Sequence, residues 1–146
     1  MNTRQKDMIP GYNFRTPVPT RFNDFDLFGH ANNAVYLTYF EMARSAFWQE
    51  IIQWDWDAMG IILARAEIQY LKPILLNDPV QAYVRTSKVG TTSFVLEYTL
   101  TRGTGDNEEI CTTGSTVCVS YDYTKNEKAP IPPAQLSRMM EFDALV

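Results

Sequence analysis

The chain has 146 residues, of which 45% are hydrophobic and 21% are charged, and its formal net charge is −4. This composition is typical of one globular domain and excludes a disordered chain. The acidic balance, without a cluster of lysine and arginine, argues against nucleic-acid binding. No apolar run approaches the roughly 20 residues of a membrane span, and no signal peptide is evident. We therefore expect a single domain over residues 1–146, in the cytoplasm, with neither a nucleic acid nor a membrane as partner.

The pattern of the first third of the chain predicts a strand followed by one long helix. The residues up to about Pro19 are expected to form an irregular N-terminal lead-in without a helix or strand. The segment VPTRFNDFD, residues 18–26, predicts the first strand. In residues 32–52 the apolar positions recur at spacings of three and four, which indicates one face of a helix. That face comprises Tyr36, Phe40, Ala43, Phe47 and Ile51. Further apolar residues widen it, so we expect the helix to be covered on much of its surface.

The remainder of the chain predicts four antiparallel strands and a short final helix. Alternating or β-branched segments occupy residues 61–71, 79–87, 93–102 and 109–121, and the joints between the last three carry the Gly, Asn and Asp of hairpin turns. Residues 132–142, which begin with proline, predict the helix. The expected fold is α+β, an antiparallel sheet of about five strands wrapped around one long helix. A single helix cannot cover both faces of such a sheet, which favours dimerisation.

Two cysteines, Cys111 and Cys118, lie seven positions apart in the last predicted strand. Residues at an odd spacing in a strand point to opposite faces, so a disulfide between them is not expected. Two cysteines are also too few for a structural zinc site. We predict two buried free thiols.

The stretch NDFDLFGHANN, residues 23–33, gathers two acids, three amides and the only histidine of the chain directly before the predicted helix. Asp24 and Asp26 share a face if the strand extends that far. The first turn of a helix offers free N–H groups that can hold a carbonyl oxygen as it gains charge, and a carboxylate can attack the carbonyl carbon or activate water. Gly29 is expected to allow a close approach of the backbone. From spacing alone, the same residues fit a simple helix cap, with Asn32 as the N-cap.

The segment RFNDFDLFGHANNAVYLTYFEMAR, residues 21–44, resembles the signature of hot-dog-fold acyl-CoA thioesterases, the branch that includes 4-hydroxybenzoyl-CoA thioesterase. The shared pattern is Asp-x-Asp-x-x-Gly-His-x-Asn-Asn, followed by Tyr-x-x-Tyr/Phe-x-Glu-x-Ala-Arg. Weaker similarity continues through IQYLKPILLNDPV and SKVGTTSFVLEYTL, so that the resemblance covers roughly residues 19–122. It implies the hot-dog fold and a thioesterase acting on thioesters of coenzyme A or acyl carrier protein.

The resemblance also implies a role for individual residues. Asp26 would be the catalytic general base or nucleophile, and the backbone N–H of Asn33 would polarise the carbonyl. His30 and Asn32 would orient the loop or contact the thioester, with Gly29 beside them. The hairpin residues Gly90, Thr91, Thr92 and Ser93 would border the pantetheine arm. No metal and no separate cofactor is expected, because coenzyme A is part of the substrate, and a homodimer or homotetramer with sites at the dimer interface is implied.

Two other functions stay open at this point. One is a hot-dog hydratase or dehydratase, in which His30 and Asp26 would move protons at adjacent carbons. The other is a non-catalytic module that binds acyl thioesters with the same fold. A serine-hydrolase triad is not supported because the chain has one histidine and no Gly-x-Ser-x-Gly segment, and the motif fixes neither the acyl group nor its carrier.

Overall fold

The computed structural model describes residues 8–145. In chain order its strands and helices are β1 (Arg15–Val18), a 3₁₀ turn (Phe22–Asp24), α1 (Val35–Phe47) with a π-helical extension (Trp48–Ile52), β2 (Gly60–Tyr70), β3 (Val80–Val89), β4 (Ser93–Arg102), a second 3₁₀ turn (Gly105–Asn107), β5 (Glu109–Asp122), β6 (Glu127–Lys128) and α2 (Pro133–Phe142). None of the helices described is long and apolar enough to cross a membrane.

The strands form one antiparallel sheet in the order β1-β3-β4-β5-β2, with the two-residue β6 paired to the end of β5. The sheet curls around α1, which confirms the predicted α+β hot-dog fold. The four strands predicted after the long helix, β2 to β5, and the C-terminal helix α2 are present, with boundaries close to those expected from the sequence. At one side of the sheet, β2 is paired only with β5 among the described residues.

The long helix supplies the centre of the core. Tyr36, Phe40, Ala43 and Phe47 are all buried, as the predicted helical face requires. The ring of Phe40 stacks on Tyr98 of β4, with their centroids 4.4 Å apart. Beside this pair β5 carries Gly114, where a Cβ would meet the Phe40 ring at 2.5 Å, so only glycine lets helix and sheet approach this closely.

The first strand was predicted in the wrong place. It spans Arg15–Val18, within the expected irregular lead-in, and pairs with β3 at the opposite side of the sheet from β2. The segment after it leaves the sheet, because the carboxylate of Asp24 accepts a hydrogen bond from the backbone N–H of Arg21 and closes a 3₁₀ turn. The prolines at positions 17 and 19 argued against a strand in this segment. Proline is nevertheless tolerated in a strand at the edge of a sheet, which is where β1 lies.

Candidate active site

A cleft of about 440 Å³ opens where the chain enters α1. One wall is the loop that contains Asp26, and the other is the end of β2 with the residues after it. The cleft is lined by Asp26, His30, Ala31, Asn32, Asn33, Tyr36, Tyr70, Leu71, Lys72 and Pro73. The structure therefore brings together four of the predicted site residues, which are Asp26, His30, Asn32 and Asn33.

The two acids of the Asp-x-Asp motif do not share a face, contrary to the expectation from an extended strand. Asp24 is buried, with 3% of its surface exposed, whereas Asp26 is exposed. The carboxylate of Asp24 accepts hydrogen bonds from the backbone and guanidinium of Arg21 and, at 3.0 Å, from the hydroxyl of Tyr39. Burial alone would raise the pKa of Asp24, but these hydrogen bonds outweigh it and hold the pKa below its ordinary value. Asp24 is thus a fully bonded anchor.

The carboxylate of Asp26 is bonded on one oxygen only. Its Oδ1 accepts hydrogen bonds from the backbone N–H groups of Phe28 at 2.9 Å and His30 at 3.1 Å. The backbone N–H of Asp26 donates to the carbonyl of His30, which closes the loop. No described residue donates to Oδ2. The loop therefore fixes the orientation of the carboxylate and leaves one oxygen available at the cleft.

Gly29 is required for a reason other than the predicted close approach. A Cβ at this position would have no heavy atom within 4 Å, so space is not limiting. Its φ is +76°, a left-handed conformation that side chains rarely adopt. Gly29 turns the chain back so that the N–H of His30 reaches Asp26, and its own carbonyl accepts from the N–H of Leu76.

Near the start of α1, the N–H group of Asn33 has no acceptor among the described residues. The N–H of Asn32 donates to the carbonyl of Asp24, and the N–H of Val35 donates to the carbonyl of Asn32. The side chain of Asn32 accepts from the N–H of Ala34 at 2.9 Å, so it caps this turn although the N-cap residue itself is Ala34. Among the described residues nothing accepts from the N–H of Asn33, which lines the cleft. A free N–H at a helix start is suited to hold a developing negative charge.

His30 contributes its backbone rather than its side chain to the loop. Its N–H and carbonyl both bond to Asp26, and it bridges to Leu75 on the neighbouring segment. The imidazole is exposed and has no hydrogen-bond partner among the described residues. No group that would fix its tautomer or direct it at a proton is therefore present in this part of the chain.

The far wall of the cleft was not predicted from the sequence. Tyr70, the last residue of β2, donates from its hydroxyl to the carbonyl of Asn33 at 2.9 Å. Its ring lies edge-on against the buried Tyr36 at 4.9 Å, and the hydroxyl of Tyr36 accepts from the N–H of Ile74. Tyr70 and Ile74 lie within the segment IQYLKPILLNDPV, whereas Tyr36 belongs to the predicted helical face. That segment carried part of the family resemblance and was the only sequence signal for them.

Lys72 brings a positive charge to the same wall. Its Nζ donates to Glu109 at 2.6 Å, and Arg102 donates to the other oxygen of that carboxylate at 2.7 Å. Hydrogen bonds from Lys72 and Arg102 lower the pKa of Glu109. Lys72 lines the cleft, so its ammonium is a cation that favours an anionic ligand there, although Glu109 partly neutralises it.

The predicted hairpin residues Gly90, Thr91, Thr92 and Ser93 do not line this cleft. Ser93 pairs with Val119, the same residue that pairs with Ile62 near the beginning of β2. The cleft lies at the other end of β2, beside Tyr70. From Ile62 to Tyr70 the strand covers eight residue steps, which span roughly 26 Å. Within one subunit, the hairpin and Asp26 therefore lie near opposite ends of β2.

The described side chains do not form a candidate metal site. Over residues 8–145 no three side chains among His, Cys, Asp and Glu come together in a way that could hold a metal ion. The two cysteines are buried and unpaired, as predicted. Burial raises the pKa of both thiols, that of Cys118 to about 11, so neither is a reactive thiolate at neutral pH.

The chain is similar to known proteins in sequence and in fold. Residues 20–139 match the thioesterase-like superfamily. A thioesterase from Thermus thermophilus, solved in complex with coenzyme A and zinc, is 36% identical and superposes with a TM-score of 0.80 over 93% of this chain and 98% of that one. A thioesterase superfamily structure from Jannaschia sp. CCS1 is 25% identical, with a TM-score of 0.86 over 98% of this chain and 91% of that one. The Bacillus subtilis protein YsmA is 30% identical over 109 residues, 74% of this chain and 72% of its own length.

Proposed function

The chain belongs to the thioesterase-like superfamily, and on that premise we propose that it hydrolyses acyl thioesters of coenzyme A at the cleft beside Asp26. One observation carries the proposal. The carboxylate of Asp26, with one bonded oxygen and one that has no partner in residues 8–145, shares a cleft with Asn33, whose N–H likewise has no acceptor there. These are a base or nucleophile and a donor for an oxyanion, the two groups that acyl transfer needs.

In the first form of the mechanism Asp26 acts as a general base. The free oxygen of Asp26 takes a proton from water as the water oxygen bonds to the thioester carbonyl carbon. The carbonyl oxygen becomes an oxyanion and accepts from the N–H of Asn33. The carbon–sulfur bond then breaks, its electron pair leaves with sulfur, and the thiol regains a proton from Asp26. The products are the free acid and coenzyme A.

In the second form Asp26 is the nucleophile. Its free oxygen bonds to the carbonyl carbon and the thiolate leaves, which gives a mixed anhydride that water then hydrolyses. The two forms differ in whether the acyl group becomes bonded to Asp26. In single-turnover hydrolysis in H₂¹⁸O, ¹⁸O in the carboxylate of Asp26 supports the nucleophile, because water has then opened the anhydride at that carboxyl. ¹⁸O in the product acid alone fits both forms, since water can also open the anhydride at the acyl carbonyl, and rapid-quench detection of the acyl–Asp26 anhydride then separates them.

A second copy of the chain would complete the site. The 11-residue β2 has one paired edge, and large apolar side chains such as Ile62 and Leu63 are 36% and 43% exposed on it. An unprotected edge of this length favours pairing with another strand. In a twofold dimer the two β2 strands run antiparallel, so the Tyr70 end of one lies beside the Gly60 end of its partner. That arrangement carries the hairpin Gly90–Ser93 of the partner toward Asp26.

Coenzyme A is the proposed carrier for two reasons. The Thermus thioesterase, 36% identical over 93% of this chain, was solved with coenzyme A. The ammonium of Lys72 lines the cleft and would favour the phosphates of coenzyme A there. The hydratase alternative receives less support, because the imidazole of His30 has no orienting partner in the described chain.

The test is release of free thiol across a panel of acyl-CoAs of differing length and aromatic character, read with a thiol-reactive dye. Wild type and Asp26→Asn are measured side by side. The buried, high-pKa Cys111 and Cys118 keep the background of the dye low in the folded protein. Turnover by wild type and loss in the variant support the proposal. Binding of coenzyme A without turnover of any thioester would replace it with a binding module.

The dimer has its own test. Leu63→Lys places a charge on the exposed apolar part of β2, and analytical ultracentrifugation should show a shift from dimer to monomer together with loss of turnover. Lys125→Ala, in the turn after β5, is the control and should leave both unchanged. A fully active monomer would refute the contribution of the partner subunit.

A further inference from the structure

We propose that Tyr70 is a positioning residue for the thioester carbonyl, acting through the backbone of Asn33. The inference rests on the proposed function and goes beyond it, because it assigns a task to the far wall of the cleft. Tyr70 is the last residue of β2 and comes from a part of the chain 37 positions away from Asn33.

The first step of the argument is the bonding of residue 33. Asn33 lines the cleft and its N–H has no acceptor in the described part of the chain, so the direction of this N–H depends on what holds the residue in place. The bonds of Asn32 and Val35 fix the turn on either side from within the same segment. The hydroxyl of Tyr70 makes the one hydrogen bond that joins the sheet to residue 33 within the described chain. Tyr70 therefore ties the N–H donor to the rigid sheet.

The second step is the support of Tyr70 itself. Its ring lies at 86° to the ring of Tyr36, 3% exposed, and the Tyr36 hydroxyl is held by the N–H of Ile74. An aromatic pair with this edge-to-face geometry orients both rings. The hydroxyl of Tyr70 is thus aimed by a buried neighbour, although Tyr70 is 48% exposed. A tyrosine free to rotate on the surface would not be held in this way.

The third step is the consequence for catalysis. An oxyanion donor is effective only when it is fixed before the charge develops. Small displacements of such a donor lower the rate of the chemical step and leave substrate binding largely unchanged. Tyr70→Phe retains the ring and removes only the bond to Asn33. We expect kcat to fall about tenfold, less than the 10²–10³ that follows removal of a whole donor, with KM within about twofold.

The experiment compares wild type, Tyr70→Phe, Tyr12→Phe and Asp26→Asn in steady-state hydrolysis of the best acyl-CoA, with amide hydrogen exchange by NMR on the same proteins. Tyr12 is the matched control, because its hydroxyl shares a hydrogen bond of 2.9 Å with the hydroxyl of Thr99 on β4 and it does not line the cleft. Tyr12→Phe should match wild type. In Tyr70→Phe, exchange at Ala34 and Val35 should accelerate several-fold, as expected from the loss of one hydrogen bond.

The outcomes separate this proposal from the proposed function. An inactive Asp26→Asn with a Tyr70→Phe as fast as wild type would overturn the role of Tyr70 alone. A raised KM with unchanged kcat would make Tyr70 a substrate contact and would also overturn it. Wild type without turnover on any thioester would overturn the proposed function. In that case unchanged exchange at Ala34 and Val35 would refute the tie between Tyr70 and the turn, and accelerated exchange would support it.

Discussion

Asp24 and Asp26 lie two positions apart in one loop and have opposite surroundings. Asp24 is buried and accepts hydrogen bonds from Arg21 and Tyr39, so neither of its oxygens is available. Asp26 is exposed and is held through one oxygen by backbone N–H groups. The first carboxylate connects the loop to the core, and the second presents an oxygen to the cleft. Under the proposed function, anchoring and chemistry are divided between two residues that look equivalent in the sequence.

The division predicts that substitutions at the two positions affect different measurements. A change at Asp26 should appear in turnover, and a change at Asp24 should appear in the free energy of unfolding. A result in which both variants lost activity and stability together would mean that the loop works as one unit.

The largest effect is expected for Asp26→Asn. The amide keeps an oxygen that can accept from Phe28 and His30 but can neither take a proton nor attack, so kcat should fall more than about 100-fold. The free energy of unfolding should change by less than about 1 kcal/mol. Kinetics and urea denaturation check this. The control is Asp122→Asn, because Asp122 likewise accepts two backbone N–H groups in a turn and lies outside the cleft.

The next effect is expected for Asp24→Asn. The neutral amide replaces a carboxylate that accepts charge-assisted hydrogen bonds from Arg21, and its NH₂ group would face donors. The free energy of unfolding should fall by about 2 kcal/mol, measured by urea denaturation at one fixed protein concentration. A change below about 0.5 kcal/mol would show that the anchor is unimportant.

The third prediction sharpens the same contrast through pH. Burial would raise the pKa of Asp24, but its hydrogen bonds lower it overall. Its contribution to stability is thus present above the unfolded pKa of about 3.9 and is lost as the pH falls through the lower folded value. Thermal unfolding from pH 7 to pH 3 should show a constant gap between wild type and Asp24→Asn above about pH 5, and a shrinking gap below about pH 4. A gap that widens in acid would contradict the assigned pKa direction.

The smallest effect is expected for His30→Ala. The N–H and carbonyl that hold Asp26 belong to the backbone of His30 and survive the substitution. The loss in kcat should therefore stay below about tenfold, measured on the same acyl-CoA. A loss as large as that of Asp26→Asn would favour the hydratase hypothesis, in which the imidazole moves a proton.

Much of this architecture could be predicted from the sequence because it depends on local periodicity. The helix face from Tyr36 to Phe47 and the alternation of β3 and β4 follow from spacings of three to four and of two. The grouping of Asp26, His30, Asn32 and Asn33 was also predictable, since eight consecutive residues hold all four. The 3₁₀ turn had a local signal in the spacing of Arg21 and Asp24, but the expectation of a continuing strand masked it.

What could not be predicted depends on contacts between distant parts of the chain. Tyr70 and Lys72 reach the cleft only because β2 ends beside the start of α1, and no local pattern encodes that meeting. The reason for Gly29 is a backbone angle, which the sequence does not specify. The position of Gly90–Ser93 relative to Asp26 is set by the path of the sheet, and only the proposed second copy of the chain would bring this hairpin to the site.

The way in which the loop holds Asp26 separates the position of this carboxylate from the side chains beside it. Among the described residues, only main-chain atoms of Phe28 and His30 bond to the carboxylate, and the side chains of Leu27 and Phe28 are 102% and 84% exposed. Positions 27 and 28 can therefore accept new side chains without altering the bonds that orient Asp26. Substitution there would change the exposed surface of the loop while the carboxylate stays in place.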